Sequence, residues 1–113
     1  MKRWDVYWAD VPFEDDPTQI KRRPVIIARD SVVYVLTLRV TTHSPRMCDP
    51  YDYQLIEWKY ANLNSPSVVR IRKLAKLKPE EIHDYIGSLH PADRLGIQTK
   101  MNDYRNERDD MRR

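Results

Sequence analysis

Three consecutive cations set directly against a proline and a branched apolar run, Lys21-Arg22-Arg23-Pro24-Val25-Ile26-Ile27-Ala28, constrain this chain more than any other stretch. Pro24 fixes its own φ and biases Arg23 toward extended backbone, while Val25, Ile26 and Ile27 carry side chains that fit a pleated, buried surface. The expectation is a core strand over residues 24–28, with the charge ending where the strand begins. An arginine at a strand mouth suits phosphate; taken alone, the stretch also fits a solvated basic turn that feeds a core strand.

The sequence on either side supplies partners for that strand. Residues 5–11 (DVYWADV) read as a first strand stopped by Pro12, and residues 13–20 (FEDDPTQI) as an acidic loop. Over residues 32–41 (VVYVLTLRVT), alternation puts Leu36, Leu38 and Val40 on one face, and Thr37, Arg39 and Thr41 on a polar face turned from the core. Residues 53–58 (YQLIEW) read as another strand, and residues 62–66 (NLNSP) as a turn with Asn62 in the left-handed region. In residues 67–74 (SVVRIRKL), Val69 and Ile71 share one face; Arg70 and Arg72 share the other with Val68 and Leu74. A turn at Pro79 and a last strand over residues 83–89 precede His90-Pro91-Ala92-Asp93, which has the proline and early acid of a helix start. Leu95, Ile97, Met101 and Tyr104 carry that helix to about Asn106, leaving residues 105–113 as a frayed, charged tail. Several strands followed by one terminal helix predict a mainly β (α+β) fold, a small, strongly curved sheet or barrel with the helix packed on it. At 113 residues it is expected to form a single domain.

Charge is unevenly distributed. Residues 1–78 hold 14 Lys and Arg against 9 Asp and Glu, whereas residues 79–113 hold 6 against 8, so the strand region is basic and the helical region acidic. A basic sheet with interleaved aromatics suits a polyanion such as nucleic acid. The single Cys48 cannot form an internal disulfide, and His43, His83 and His90 lack metal-ligand spacing, so no metal and no cofactor are expected. The two glycines give no phosphate loop or dinucleotide fingerprint. No apolar run has membrane-spanning length and the N-terminus lacks a signal-peptide core, so the expected location is the cytoplasm, with no membrane partner.

Three separated segments offer groups for phosphate: Arg22 and Arg23, the strand-end Thr41, and Arg70 with Arg72 on a later strand. Arginine pairs bidentately with phosphate oxygens, and a hydroxyl adds a donor where negative charge develops. Single-stranded RNA supplies its own nucleophile, the 2′-hydroxyl beside the scissile phosphate, so cleavage needs orientation, charge neutralisation and the handling of two protons, but no metal. Arginine is a poor acid or base. His43, two residues beyond Thr41, either reaches the site or faces solvent; His83 and His90 read as structural. Asp15 and Asp16 fit a ribose contact or a solvated loop. Some of the three tryptophans and seven tyrosines are candidate base-stacking platforms, most of them core or interface residues.

In order and motif (DVYWADVPFED, KRRPVIIA, LRVTTHS, then WKYANLNSPSVVRIRKL with IGSL and a final helix), residues 4–104 resemble the MazF/PemK (Kid) toxins of bacterial toxin–antitoxin modules. The resemblance implies an SH3-like small barrel of the MazF/PemK/CcdB type, usually a homodimer. It also implies metal-independent cutting of single-stranded RNA (mRNA), at preferred short sequences, to 2′,3′-cyclic phosphate and 5′-hydroxyl ends. The outcome is arrested translation and growth, restrained by a cognate antitoxin. Carried over by position, it implies Arg23, Thr41 and Arg70 as catalytic, Thr42 and His43 as accessory, and Lys21, Arg22, Arg39 and Arg72 as RNA-binding. Two departures stand out: the loop before KRRP lacks the family's glycine, and Arg72 stands where the PemK branch has an aspartate, so no proton-transfer group carries over. The same fold also fits a barrel that binds RNA, gyrase or its antitoxin without cutting.

Overall fold

The computed structural model describes residues 1–12, 16–31, 34–42 and 49–111. Six strands and one helix follow in order: β1 (Asp5–Pro12), β2 (Ile20–Asp30), β3 (Val35–Thr41), β4 (Asp52–Gln54), β5 (Val68–Leu77), a 3₁₀ turn at Pro79–Glu81, β6 (Ile82–Ser88) and α1 (Pro91–Met111). This is the expected mainly β architecture with a C-terminal helix. The strands form one antiparallel sheet in the order β4-β5-β3-β2-β1-β6.

Apolar clusters on both faces explain its shape. On one face Val6, Ile26, Leu38 and Val69 pack with Leu89 and with Ile97 of α1. On the other, Ala9 and Val11 of β1 meet Val25 of β2 and Leu77 of β5. Strands β1 and β5 are separated by two others, so in a flat sheet they would stand about 14 Å apart; their contact requires the sheet to curl over itself. Bulges between Ile27 and Arg29 on β2 and opposite Leu38/Arg39 on β5 supply bends where the curl needs them. The edges β4 and β6 do not pair with each other, so the curled sheet stays open.

The curl also explains where simple alternation fails. Thr37, expected on an outward polar face, is buried, and its hydroxyl donates to the Ala75 carbonyl (3.2 Å), because that face lies inside the curl. Charge does not end where β2 begins: Lys21, Arg22 and Arg23 lie within the strand, paired with Val11, Asp10 and Ala9. Residues 53–58 do not form one strand; only 52–54 belong to β4. Past them the backbone N–H groups of Ile56 and Glu57 donate to the Asp93 carboxylate (3.0 and 2.9 Å) instead of to a ladder. Residues 105–111, expected to fray, continue α1 to Met111.

Two close approaches tie the helix and the 55–66 segment to the sheet. A Cβ on Gly96 would lie 2.5 Å from the Tyr53 hydroxyl, so a bare backbone here lets the Tyr53 ring lie across the helix and donate to Asp93 (2.8 Å). Asn62 adopts φ 63°, as expected, and its side-chain amide donates to the Ile86 carbonyl (3.0 Å). That bond fixes the segment that roofs the site.

Candidate functional site

The β2–β3 ladder runs from Asp30↔Val35 to Val25↔Arg39 and ends there. The next β2 residue toward the strand start is Pro24, which has no N–H to offer a neighbour. Beyond it, β2 stays paired with β1 (Trp8↔Pro24, Ala9↔Arg23), and β3 stays paired with β5 (Val40↔Val69, Thr41↔Val68). The gap between the two strand ends is a cavity of about 280 Å³. Its walls are residues 21–24 on one side and residues 40–42 on the other, with Trp8 and Ile86 at the base and Asn62, Leu63, Asn64, Ser65 and Ser67 as a roof.

This geometry brings together five of the residues singled out by sequence: Lys21, Arg22, Arg23, Thr41 and Thr42. Continuing the β2–β3 register by two residues would set Arg23 opposite Thr41, and both line the cavity that opens where the ladder ends. Among the described residues, three cations and four hydroxyl side chains line the cavity, and no carboxylate does. Such a wall is complementary to an anion with several acceptor oxygens, which matches phosphate.

The remaining expected site residues lie elsewhere. Arg39 and Arg70 are paired across β3 and β5, one row along the same face from Thr41, and neither lines the cavity. Arg39 donates from its terminal nitrogen to the Pro12 carbonyl (3.0 Å). Arg70 donates from Nε to Asp52 of β4 (3.1 Å). Burial holds the Asp52 carboxyl above the usual carboxylate range, against the opposing pull of Arg70. Arg72 is farther away, beside Asp49 (3.3 Å) and the Tyr104 ring of α1. His43 and Asp15 lie outside the described residues; Asp16 caps a local turn through Thr18.

Sequence reasoning missed the roof and the groups behind the cationic wall. Asn62, Asn64, Ser65 and Ser67 offer amides and hydroxyls to a ligand's polar edges. Their only signal was a turn-forming composition, which marks a loop and not a lining. Behind Arg22, Asp10 Oδ1 lies 3.6 Å from Arg22 Nε, and Asp10 Oδ2 accepts a hydrogen bond from His83 Nε2 at 2.8 Å. That hydrogen bond, with Arg22 adding to it, holds the Asp10 carboxyl below its ordinary range. Among the described residues no cluster of three or more His, Cys, Asp or Glu side chains is placed to hold a metal ion. Among the described residues no helix is long and apolar enough to cross a membrane.

Residues 2–103 match the model of a family described as PemK-like, MazF-like toxin of type II toxin–antitoxin system. An endoribonuclease in complex with its cognate antitoxin, from a mycobacterial species, shares the fold at 21% identity and TM-score 0.69, with 89% of this chain and 90% of that one covered. The Mycobacterium tuberculosis toxin MazF-mt6 shares it at 20% identity and TM-score 0.68, with 88% and 93% covered. No curated protein matches the chain.

Proposed function

Because the chain belongs to the PemK-like, MazF-like toxin family of type II toxin–antitoxin systems, we propose that it is an endoribonuclease acting on single-stranded mRNA, with the β2–β3 cavity as its cleavage site. The observation that carries this reading is that Arg23 and Thr41, at the two strand ends where the β2–β3 ladder stops, line one cavity with Lys21 and Arg22. A phosphodiester seated there meets guanidinium groups on one side and hydroxyls on the other. The substrate's 2′-hydroxyl attacks the phosphorus and the P–O bond to the 5′-oxygen breaks, giving a 2′,3′-cyclic phosphate and a 5′-hydroxyl. The extra negative charge of the five-coordinate phosphorus is greatest in the transition state, which is where Arg23 and the Thr41 hydroxyl act. Lys21, Arg22 and Thr42 hold neighbouring phosphates, while the roof asparagines and Trp8 favour particular bases by hydrogen bonding and stacking. Arg70, engaged with Asp52 one row away, is assigned a smaller part than Arg23 and Thr41 because it does not line the cavity.

The partners that go with this reading are a second copy of the chain, a cognate antitoxin and mRNA in the cytoplasm. The test is incubation of the purified chain with a pool of single-stranded RNAs in chelator, with product ends identified by mass spectrometry. Cleavage to the two ends named above, lost in both Arg23→Ala and Thr41→Ala, is the expected result. Intact RNA across the whole pool, or full activity in both variants, would overturn the reading.

A further inference from the structure

We infer that His83 is a positioning residue of this site, acting through Asp10 on Arg22, and that it makes the grip of the cavity on RNA phosphate depend on pH. This rests on the RNA-binding reading of the cavity and extends it to the groups behind its wall. Asp10 of β1 and Arg22 of β2 are register partners, and Arg22 lines the cavity. The Asp10 carboxylate is divided between two neighbours: one oxygen lies 3.6 Å from Arg22 Nε, and the other is 2.8 Å from His83 Nε2 of β6. An ionised carboxylate has only lone pairs to offer, so Nε2 carries the proton in this bond. All three side chains are partly open to solvent, with Arg22 the most exposed, so the imidazole can exchange protons and the guanidinium can turn to a ligand.

The charges determine the sign. With His83 neutral, Asp10 and Arg22 cancel, and the carboxylate competes with RNA phosphate for the guanidinium. With His83 protonated, the imidazolium satisfies Asp10, the three groups together carry one positive charge, and Arg22 is released toward the cavity. The charged groups next to His83 in sequence are Glu81 and Asp84. Glu81, in the preceding 3₁₀ turn, accepts from the Lys78 backbone N–H (3.3 Å), and Asp84 is exposed on β6. Imidazole is the side chain that ordinarily changes charge between about pH 5 and 8. Affinity for single-stranded RNA therefore rises as pH falls through that range.

The experiment uses the full chain and a fluorescein-labelled single-stranded oligonucleotide with 2′-O-methyl riboses, which cannot be cut. Its Kd is measured by anisotropy at low salt, at about pH 8 and about pH 5.5, spanning the histidine range. Wild type is expected to tighten by about three- to fivefold more than His83→Gln between the two pH values, the scale of one partly exposed charge. Glutamine retains a donor for Asp10 without titrating, and Asp10→Asn is expected to abolish the same increment by removing the shared charge. Thermal melts confirm that both variants fold. In an Arg22→Ala background, His83→Gln is expected to leave the pH slope unchanged. Equal slopes in wild type and His83→Gln, an undiminished His83 effect without Arg22, or no binding at either pH would overturn the inference. Binding with the expected slopes but no scission of ordinary RNA refutes the ribonuclease reading and leaves this one standing.

Discussion

Replacing Asp93 by alanine is the perturbation that most directly tests how this fold is held. The residue is fully buried at the start of α1, and its carboxylate accepts three hydrogen bonds: Tyr53 hydroxyl (2.8 Å), Ile56 N–H (3.0 Å) and Glu57 N–H (2.9 Å). Hydrogen bonds to a charged acceptor contribute about 1.5–3 kcal/mol each, and a donor left buried without a partner costs about 1–3 kcal/mol. The three donors are coupled through one carboxylate, and the Ile56–Glu57 segment lies near enough to solvent for water to recover part of the loss. The net cost of Asp93→Ala is therefore about 3–5 kcal/mol, in the range seen when one member of a buried charged network is removed. For a domain of this size that lowers Tm by roughly 12–20 °C. Urea unfolding followed by circular dichroism checks it, with the m-value expected to stay constant and the midpoint to fall. Tyr53→Phe alone is expected to cost about 1–2 kcal/mol, and the double variant less than the sum. An Asp93→Ala variant within about 1 kcal/mol of wild type would refute the view that this carboxylate joins helix to sheet.

Other outcomes follow from the same geometry. Gly96→Ala, which at an open helix position gains about 1 kcal/mol, is expected instead to lose about 1–3 kcal/mol by driving a methyl into the Tyr53 ring; in a Tyr53→Ala background the sign reverses, as paired unfolding curves will show. Burial, then the hydrogen bond to Asp93, pushes the Tyr53 phenol up to about 12. The folded state thus favours its protonated form, and that contribution is complete below the ordinary tyrosine value and is lost as pH rises toward 12; ultraviolet titration should show one tyrosine ionising late, in step with unfolding. In the cleavage assay, Arg23→Ala and Thr41→Ala are each expected to lower kcat about 10²–10³-fold. Arg70→Ala is expected to lower it by less than about tenfold, because a residue outside the cavity removes no contact made only in the transition state; equal losses in all three would refute the row assignment.

Element types were legible where alternation and punctuation were strong. The first two strands, the left-handed Asn62 and the terminal helix follow from β-branched runs, a turn cluster and a proline with early acid. What alternation could not show was which face of a strand would end up inside. That depended on Leu77 and Ala9, 68 apart in sequence, joining one apolar cluster, which buried Thr37 while leaving Arg39 half-covered. Arg23 and Thr41 were recognisable because a proline and a strand end mark them locally. The separation of Arg70 from them was not, since one strand row of offset leaves no trace in spacing. Nor was the Asp10–His83 bond, which joins β1 to β6 across 73 positions and depends on the two edges of one hairpin meeting a distant strand.

The cavity between β2 and β3 is a stretch of sheet whose rungs are missing. One wall is carried by β1 and the other by β5, and the β2–β3 ladder ends before it reaches either. On the proposed reading, a phosphate bridging Arg23 and Thr41 would act as a stitch as well as a ligand, closing a seam that the backbone leaves open. On that reading, occupancy of the cavity and stiffening of the seam would be the same event.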